Sequence, residues 1–173
     1  EIMKNYCIQE KLIINEDYRK SSKNKKKRFF SPLNQKTNFK INKLFRQLTK
    51  NLKLEKKIIN VKGRKFIINK YYNKIVRFDF KELCDRFIGA EDYIKISENC
   101  IFITIENIPN FSSQNSNLQQ RFITLIDILY EKKIPLMISA DFELAKISSS
   151  KNLEIIYRRT ISRLNELTSI KFS

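Results

Sequence analysis

Histidine and tryptophan are absent from this 173-residue chain, and glycine occurs only twice, proline and cysteine three times each. Each shortage excludes a class of chemistry. Without histidine there is no imidazole base, no Ser-His-Asp or Cys-His nucleophile and no histidine-containing zinc site. Two glycines cannot build a glycine-rich phosphate loop, and neither GxGxxG nor GxxxxGK(S/T) occurs. Cys7, Cys84 and Cys100 are odd in number and too far apart for a CxxC ligand pair. They read as buried, reduced thiols of a cytosol-like compartment, and no ligand spacing marks a metal site. The longest stretch without a charge, from Asn107 to Gln120, is polar, so no apolar span of membrane length is present. The opening residues contain no apolar signal core, and a start at Glu1 in place of Met reads as the start of a fragment.

What is plentiful is positive charge: 35 Lys+Arg against 18 Asp+Glu, a net of +17. The whole excess lies in residues 1–80, with 23 basic and 6 acidic side chains, whereas residues 81–173 hold 12 of each. It is densest from Lys20 to Arg28, just ahead of Phe29-Phe30. Two readings stay open. Lysines could grip phosphates while the rings stack on bases, making residues from Lys20 to Phe30 a nucleic-acid contact. Alternatively the run is a solvated loop, since Lys outnumbers Arg 25 to 10 in the manner of codon bias.

Periodicity places the elements. Residues 8–14 read as a short strand. Ile41, Leu44, Phe45 and Leu48 recur at i, i+3, i+4, i+7, which predicts a helix over about 36–49 with Lys36, Lys40, Lys43 and Lys50 on its wet side. Residues 58–61 and 66–69 flank Lys62-Gly63-Arg64 and predict a β-hairpin turning at Gly63. A strand over 75–78 follows. Asp79 and Glu82 have capping-box spacing and start a short helix through Arg86, and another helix runs over 90–99. Residues 101–105 and 136–139 read as buried parallel strands joined by a crossover helix over about 116–132. Asp141 is placed to cap a helix toward Ile147. A last helix, about 154–168, turns Ile156, Ile161, Leu164 and Leu167 inward. The class is mixed α/β, with helices outnumbering strands.

Three constellations bear on chemistry. The apolar strand ending in Glu106 looks like a Walker B strand, but many strands end in Glu and no phosphate loop precedes it. Asp127 and Glu131 lie one turn apart and read as a surface pair facing Arg121 or Lys132. Arg159 and Arg163, at i, i+4, repel each other unless an anion lies between them. That anion is either a nucleotide phosphate or a helix neighbour, with Arg163 pairing Glu166 and Arg158 pairing Glu154.

Several ordered blocks extend these readings. They are Asn15-Glu16-Asp17-Tyr18-Arg19, Phe29-Phe30-Ser31-Pro32-Leu33, Val61-Lys62-Gly63-Arg64 and the stretch from Arg77 through Phe78, Glu82 and Cys84 to Arg86, continuing as Gly89-Ala90-Glu91-Asp92-Tyr93. Further on come the block from Arg121 to Glu131, which includes Asp127, then Ser139-Ala140, and the block from Arg159 through Ser162 and Arg163 to Leu164, with Glu166 beyond. Together these blocks resemble the carboxy-terminal half of the ZapE-type cell-division ATPases and their mitochondrial relatives, a P-loop AAA+-type family. Departures from its pattern are Phe87-Ile88 in place of Pro-Leu, Gln120 in place of the first of two arginines, and Leu167 in place of Met. The first and last read as packing changes, and Gln120 leaves Arg121 as the cation there.

The resemblance implies a division of the chain: 1–19 as the last strand of an ATPase core, 20–35 as a basic loop, and 36–173 as a helical lid with a family-specific α/β region. It implies Walker A and Walker B motifs upstream, so that ATP and Mg²⁺ belong to the full-length parent and none is bound by this segment alone. Arg159, Arg163 and Arg121 become the nucleotide-sensing candidates. The implied partners are the division-ring protein in bacteria or inner-membrane proteins in mitochondria, with homo-oligomers and peripheral membrane contact as further options. The implied location is the cytoplasm, at the inner membrane, or the mitochondrial matrix. The alternatives are a nucleic-acid-binding module and a non-catalytic interaction module.

Overall fold

The computed structural model describes residues 27–144, 146 and 148–172. Among them a six-stranded sheet is flanked by five helices. The strands are β1 (Phe29–Phe30), β2 (Glu55–Val61), β3 (Arg64–Tyr72), β4 (Ile75–Asp79), β5 (Phe102–Ile108) and β6 (Leu136–Ala140). The helices are α1 (Gln35–Leu48), α2 (Phe80–Cys84), α3 (Ala90–Glu98), α4 (Ser116–Glu131) and α5 (Glu154–Leu167). Two 3₁₀ turns, Ser113–Asn115 and Lys151–Leu153, complete the described elements, and the mixed α/β class expected from the sequence is observed. The sheet order is β1-β6-β5-β4-β3-β2, parallel from β1 to β4 and antiparallel from β4 to β2.

Local chemistry explains most boundaries. The side-chain oxygen of Asn34 accepts the Thr37 N–H at 2.9 Å and starts α1. Lys62 and Gly63 both have positive φ, 46° and 78°, the pattern of a two-residue type I′ turn, and glycine suits the second position because it has no Cβ to strain. Asp79 accepts the Lys81 N–H at 3.0 Å while Glu82 accepts the Asp79 N–H at 2.8 Å, so the expected capping box forms. The helix it starts ends at Cys84, two residues short of Arg86.

Helices α2 to α5 cover one face of the sheet. Their core joins Ile59, Val61, Phe66 and Ile68 of the hairpin to Phe78, Ile103, Ile105, Ile138 and the apolar stripe of α4. Helix α1 lies on the other face, where Ile41 and Phe45 pack on Ile75, Phe102 and Met137. Two expectations fail here for packing reasons. The inward face of α5 is Tyr157, Thr160, Ile161, Leu164 and Leu167, so the stripe is centred beyond Ile156, which is 40% exposed. At Asp141 the described residues 141–144 and 146 form no helix. There Phe142 is drawn into the aromatic core, and Asn110 donates to Asp141, an interaction that takes up the capping carboxylate.

Part of the expected basic loop is also structural. Phe29 and Phe30 form β1 beside β6, Phe29 packs 5.8 Å from Phe142, and Phe30 joins the α1 cluster. Both rings are committed to the core rather than offered to bases. Lys20 to Lys26, and the expected strand over 8–14 with Asp17 and Arg19, lie outside the described residues. The reading of 1–19 as the end of an ATPase core lies there too.

Candidate functional site

The sequence-derived candidates assemble into two groups. The first joins α4 to α5. Asp127 holds both arginines of α5: one carboxylate oxygen accepts from Arg163, and the other accepts from Arg159 at 3.1 Å. The anion that the i, i+4 arginine pair requires is thus supplied by α4. This corrects the reading of Asp127 as a surface partner of Arg121 or Lys132. Arg158 pairs with Glu154 at 2.7 Å, as the helix spacing suggests.

The group continues along the two helices. The Arg163 guanidinium lies over the Tyr130 ring at 4.9 Å, the Tyr130 hydroxyl donates to Glu166 at 2.8 Å, and Lys133 reaches Glu166 at 3.2 Å. The Glu166 contact holds the Lys133 ammonium above its ordinary value, helped by the ring beneath it. Ser162 is exposed on α5, one turn from both Arg159 and Glu166. Arg163 is sheltered, with a side chain 23% exposed, while Arg159 is open at 56%.

Topology locates this group. Helix α4 leaves the carboxyl end of β5 and returns to the amino end of β6, so Asp127 and Tyr130 lie toward the amino ends of the parallel strands. Helix α5 runs alongside it in the same direction. The carbonyls of Leu167, its last residue, and of Ile170 just beyond accept from Arg28, whose Nε donates to the Leu136 carbonyl at the start of β6. Open α/β sheets normally bind ligands at the opposite, carboxyl edge.

The second group surrounds residues 84–92. One Arg64 nitrogen, Nη2, donates to both Asp92 oxygens at 2.9 and 3.1 Å while Nη1 donates to the Phe87 carbonyl at 2.7 Å, and Asp92 also accepts the Gly89 N–H. Asp92 is 3% exposed. Arg121 donates to the Cys84 and Arg86 carbonyls, both at 2.9 Å, so its charge caps the end of α2. Tyr93 donates to the Leu83 carbonyl, and burial pushes the Cys84 thiol up to about 12. The blocks around Gly63-Arg64, Phe78 to Cys84, Asp92 and Arg121 are therefore one interlocked corner. Phe87, held at its centre, is 93% exposed and so is no packing substitution, whereas Leu167 is fully buried.

Glu106 does not behave as a metal carboxylate. Arg77 grips both its oxygens at 2.5 and 2.6 Å, donates to Asn42, and stacks over Phe45. Sequence reasoning missed Asp92, Tyr130, Lys133 and this Arg77 fork, because each depends on strand register or helix pairing. Arg77, Asp92 and Tyr130 fall within the ordered blocks but without a role, and Asp92 left a local signal too, three residues after Gly89 at the N3 position of a capping box.

At the carboxyl edge, an open crevice of about 580 Å³ lies between Ser31-Pro32, Asn110 and the segment after β6. It contains Asp141 and Glu143, with Lys146 as the cation among its described residues, and neither glycine of the chain. No group of metal-ligating side chains occurs among the described residues. With one cation against two carboxylates, the described lining of this crevice offers little to a polyphosphate.

Comparison with known proteins gives the remaining information. The chain is 24% identical to the cell division protein ZapE of Escherichia coli K12 over 172 residues, which is 99% of this chain and 46% of that protein. It is 30% identical over 109 residues to lactation elevated protein 1 homolog B of Danio rerio, covering 62% of this chain and 22% of that one. The chain thus spans less than half the length of these relatives. No solved structure matches. The profile of the AFG1-like ATPases matches residues 10–173, and the chain belongs to that family.

Proposed function

We propose that this chain is the carboxy-terminal part of an ATP-hydrolysing protein whose cycle remodels or regulates a protein partner. The observation that supports a nucleotide-responsive role is the sharing of one carboxylate, Asp127, by two arginines of which Arg159 is open. A half-exposed guanidinium can trade a shared carboxylate for phosphate oxygens at little desolvation cost. Arg163, sheltered and stacked on Tyr130, holds Asp127 in place while Arg159 moves. Because the pair faces outward near the amino ends of the strands, the phosphate it meets belongs to nucleotide held by another part of the parent or by a neighbouring subunit. Arg121, engaged with two carbonyls, positions the α2–α3 corner instead. ATP and Mg²⁺ are then bound outside this chain. The partner class, by likeness to the cell division protein, is a division component in bacteria or an inner-membrane protein in mitochondria, with a cytoplasmic or matrix location.

The test is ATP turnover. In the full-length parent, Arg159→Ala is expected to lower kcat by about 10- to 100-fold with an unchanged unfolding midpoint. The 173-residue chain alone is expected to show no turnover. Turnover by that chain above an Arg159→Ala/Arg163→Ala variant, or a full-length Arg159→Ala protein with normal kcat and KM, would overturn the proposal.

A further inference from the structure

We propose that the α1 side of the sheet is a docking surface for an anionic membrane. Residues 27–78 contain sixteen basic side chains and one acidic one, Glu55. Lys62, Arg64 and Arg77 find carboxylates across the fold, and Arg28 is turned inward onto carbonyls. Exposed Lys43, Arg46, Lys50 and Lys65 make no ion pair with a described residue.

Exposed apolar side chains sit among these cations. Phe39, 69% exposed, continues through Lys43, Arg46 and Lys50 as one helical stripe. That stripe lies opposite the buried Ile41 and Phe45, so it points away from the sheet. Asn42, whose side chain accepts from Arg77 of β4, marks the flank toward β3 and β2, where α1 gives out. Ile59, Val61, Phe66 and Ile68 point into the helical layer, leaving the cross-strand pair Ile58 and Ile67 on the α1 side, 55% and 46% exposed. Strand alternation places Lys65 beside Ile67 on the same face.

The composition of the surface selects its occupant. Stacking a nucleic-acid strand takes successive aromatic rings and arginine forks, and this surface offers the single exposed ring of Phe39 beside isoleucines that have no π-face. Cores of protein interfaces are depleted in lysine. A bilayer with anionic headgroups accepts scattered lysines, each adding roughly fivefold in affinity, and takes apolar tips into the headgroup–acyl boundary.

The test uses the 173-residue chain and vesicles of phosphatidylcholine with or without about 30 mol % phosphatidylglycerol. Binding is expected only to the anionic vesicles, weakening as salt rises from about 50 to about 300 mM. Lys43→Glu/Arg46→Glu/Lys50→Glu is expected to weaken it by about 100-fold or more. Phe39→Ser/Ile58→Ser/Ile67→Ser is expected to weaken it by roughly tenfold with an unchanged circular-dichroism spectrum, since all three side chains are exposed. Equal binding to neutral vesicles, charge-reversal or serine variants that bind as tightly as the parent, or tighter binding to a single-stranded oligonucleotide than to anionic vesicles would each overturn the proposal.

Discussion

At the scale of single residues, the chain uses arginine mainly as a fastener. Arg64 neutralises Asp92, which is too deeply buried to find water once its partner is gone. Arg64→Ala is expected to cost about 2–3 kcal/mol in urea unfolding, below the usual range for a severed buried pair because the guanidinium itself is half exposed. Arg64→Lys should recover part of that loss but not the simultaneous contact with the Phe87 carbonyl. The buried cysteines behave in the opposite way, through what they refuse to do. Burial raises the Cys84 and Cys100 thiols from an ordinary 9.0 to about 12, so the folded chain keeps protons that the unfolded chain releases. Their contribution to stability is complete below pH 9 and declines as pH rises toward 12. In a Cys7→Ser chain, thiol labelling at pH 8 is therefore expected only after denaturant is added; rapid labelling of the native protein would show these sites to be open. Of these features, the burial of Cys84 and Cys100 was legible in spacing and count, while Cys7 lies outside the described residues. The Arg64–Asp92 pair was not legible, because no local pattern reveals which loop a hairpin turn will touch.

At the scale of elements, the sequence was most readable where chemistry is local. The hairpin, the Asp79–Glu82 capping box and the α4 stripe each follow from residues within a few positions of one another. Gly63→Ala is expected to cost about 1 kcal/mol or more, since its φ of 78° strains any Cβ even though the space around it is empty. Lys62→Asn should be neutral, because asparagine suits the first position of the same turn. If both variants unfold at the same denaturant concentration, the turn assignment is wrong. Elements that depend on distant partners were misread. β1 is only two residues long and follows a lysine run, so nothing in its own sequence announces a strand. The helix expected after Asp141 was lost to the aromatic core around Phe111, Phe142 and Tyr157. On α5 the expected Ile161, Leu164 and Leu167 are buried, and Ile156 alone was misplaced, because Tyr157, a polar-tipped ring, fills the core there.

At the scale of the whole molecule, the mixed α/β class was legible and the assembly of the site only partly so. Pattern alone put Asp127, Arg159, Arg163 and Glu166 on two helices; parallel α4–α5 packing is what brings them within contact. Arg28 has a comparable long-range role. Its three carbonyl contacts tie the start of β1 to the start of β6 and to the end of α5, where its charge also meets the negative end of the helix dipole. Desolvation there lowers the affinity of this guanidinium for its proton, without approaching neutrality in any ordinary buffer. Arg28→Met keeps most of the apolar stem, so the expected loss of about 2–4 kcal/mol in urea unfolding reports the carbonyl contacts themselves. An unchanged midpoint would mean that these carbonyl contacts add nothing to the stability of the fold.

The sheet order has a consequence in time. The first described strand pairs with the last, while the second lies at the opposite edge, with α1 carrying the chain across the face between them. On a ribosome, Phe29 and Phe30 emerge about a hundred residues before Ile138 and Ser139 exist to receive them. At ordinary elongation speeds that gap is roughly 5–20 seconds. During this interval the nascent hairpin can close on itself, but the two phenylalanines have no ladder to join. The lysine run beside them carries like charge on every nascent copy, so two such waiting apolar pairs repel rather than meet.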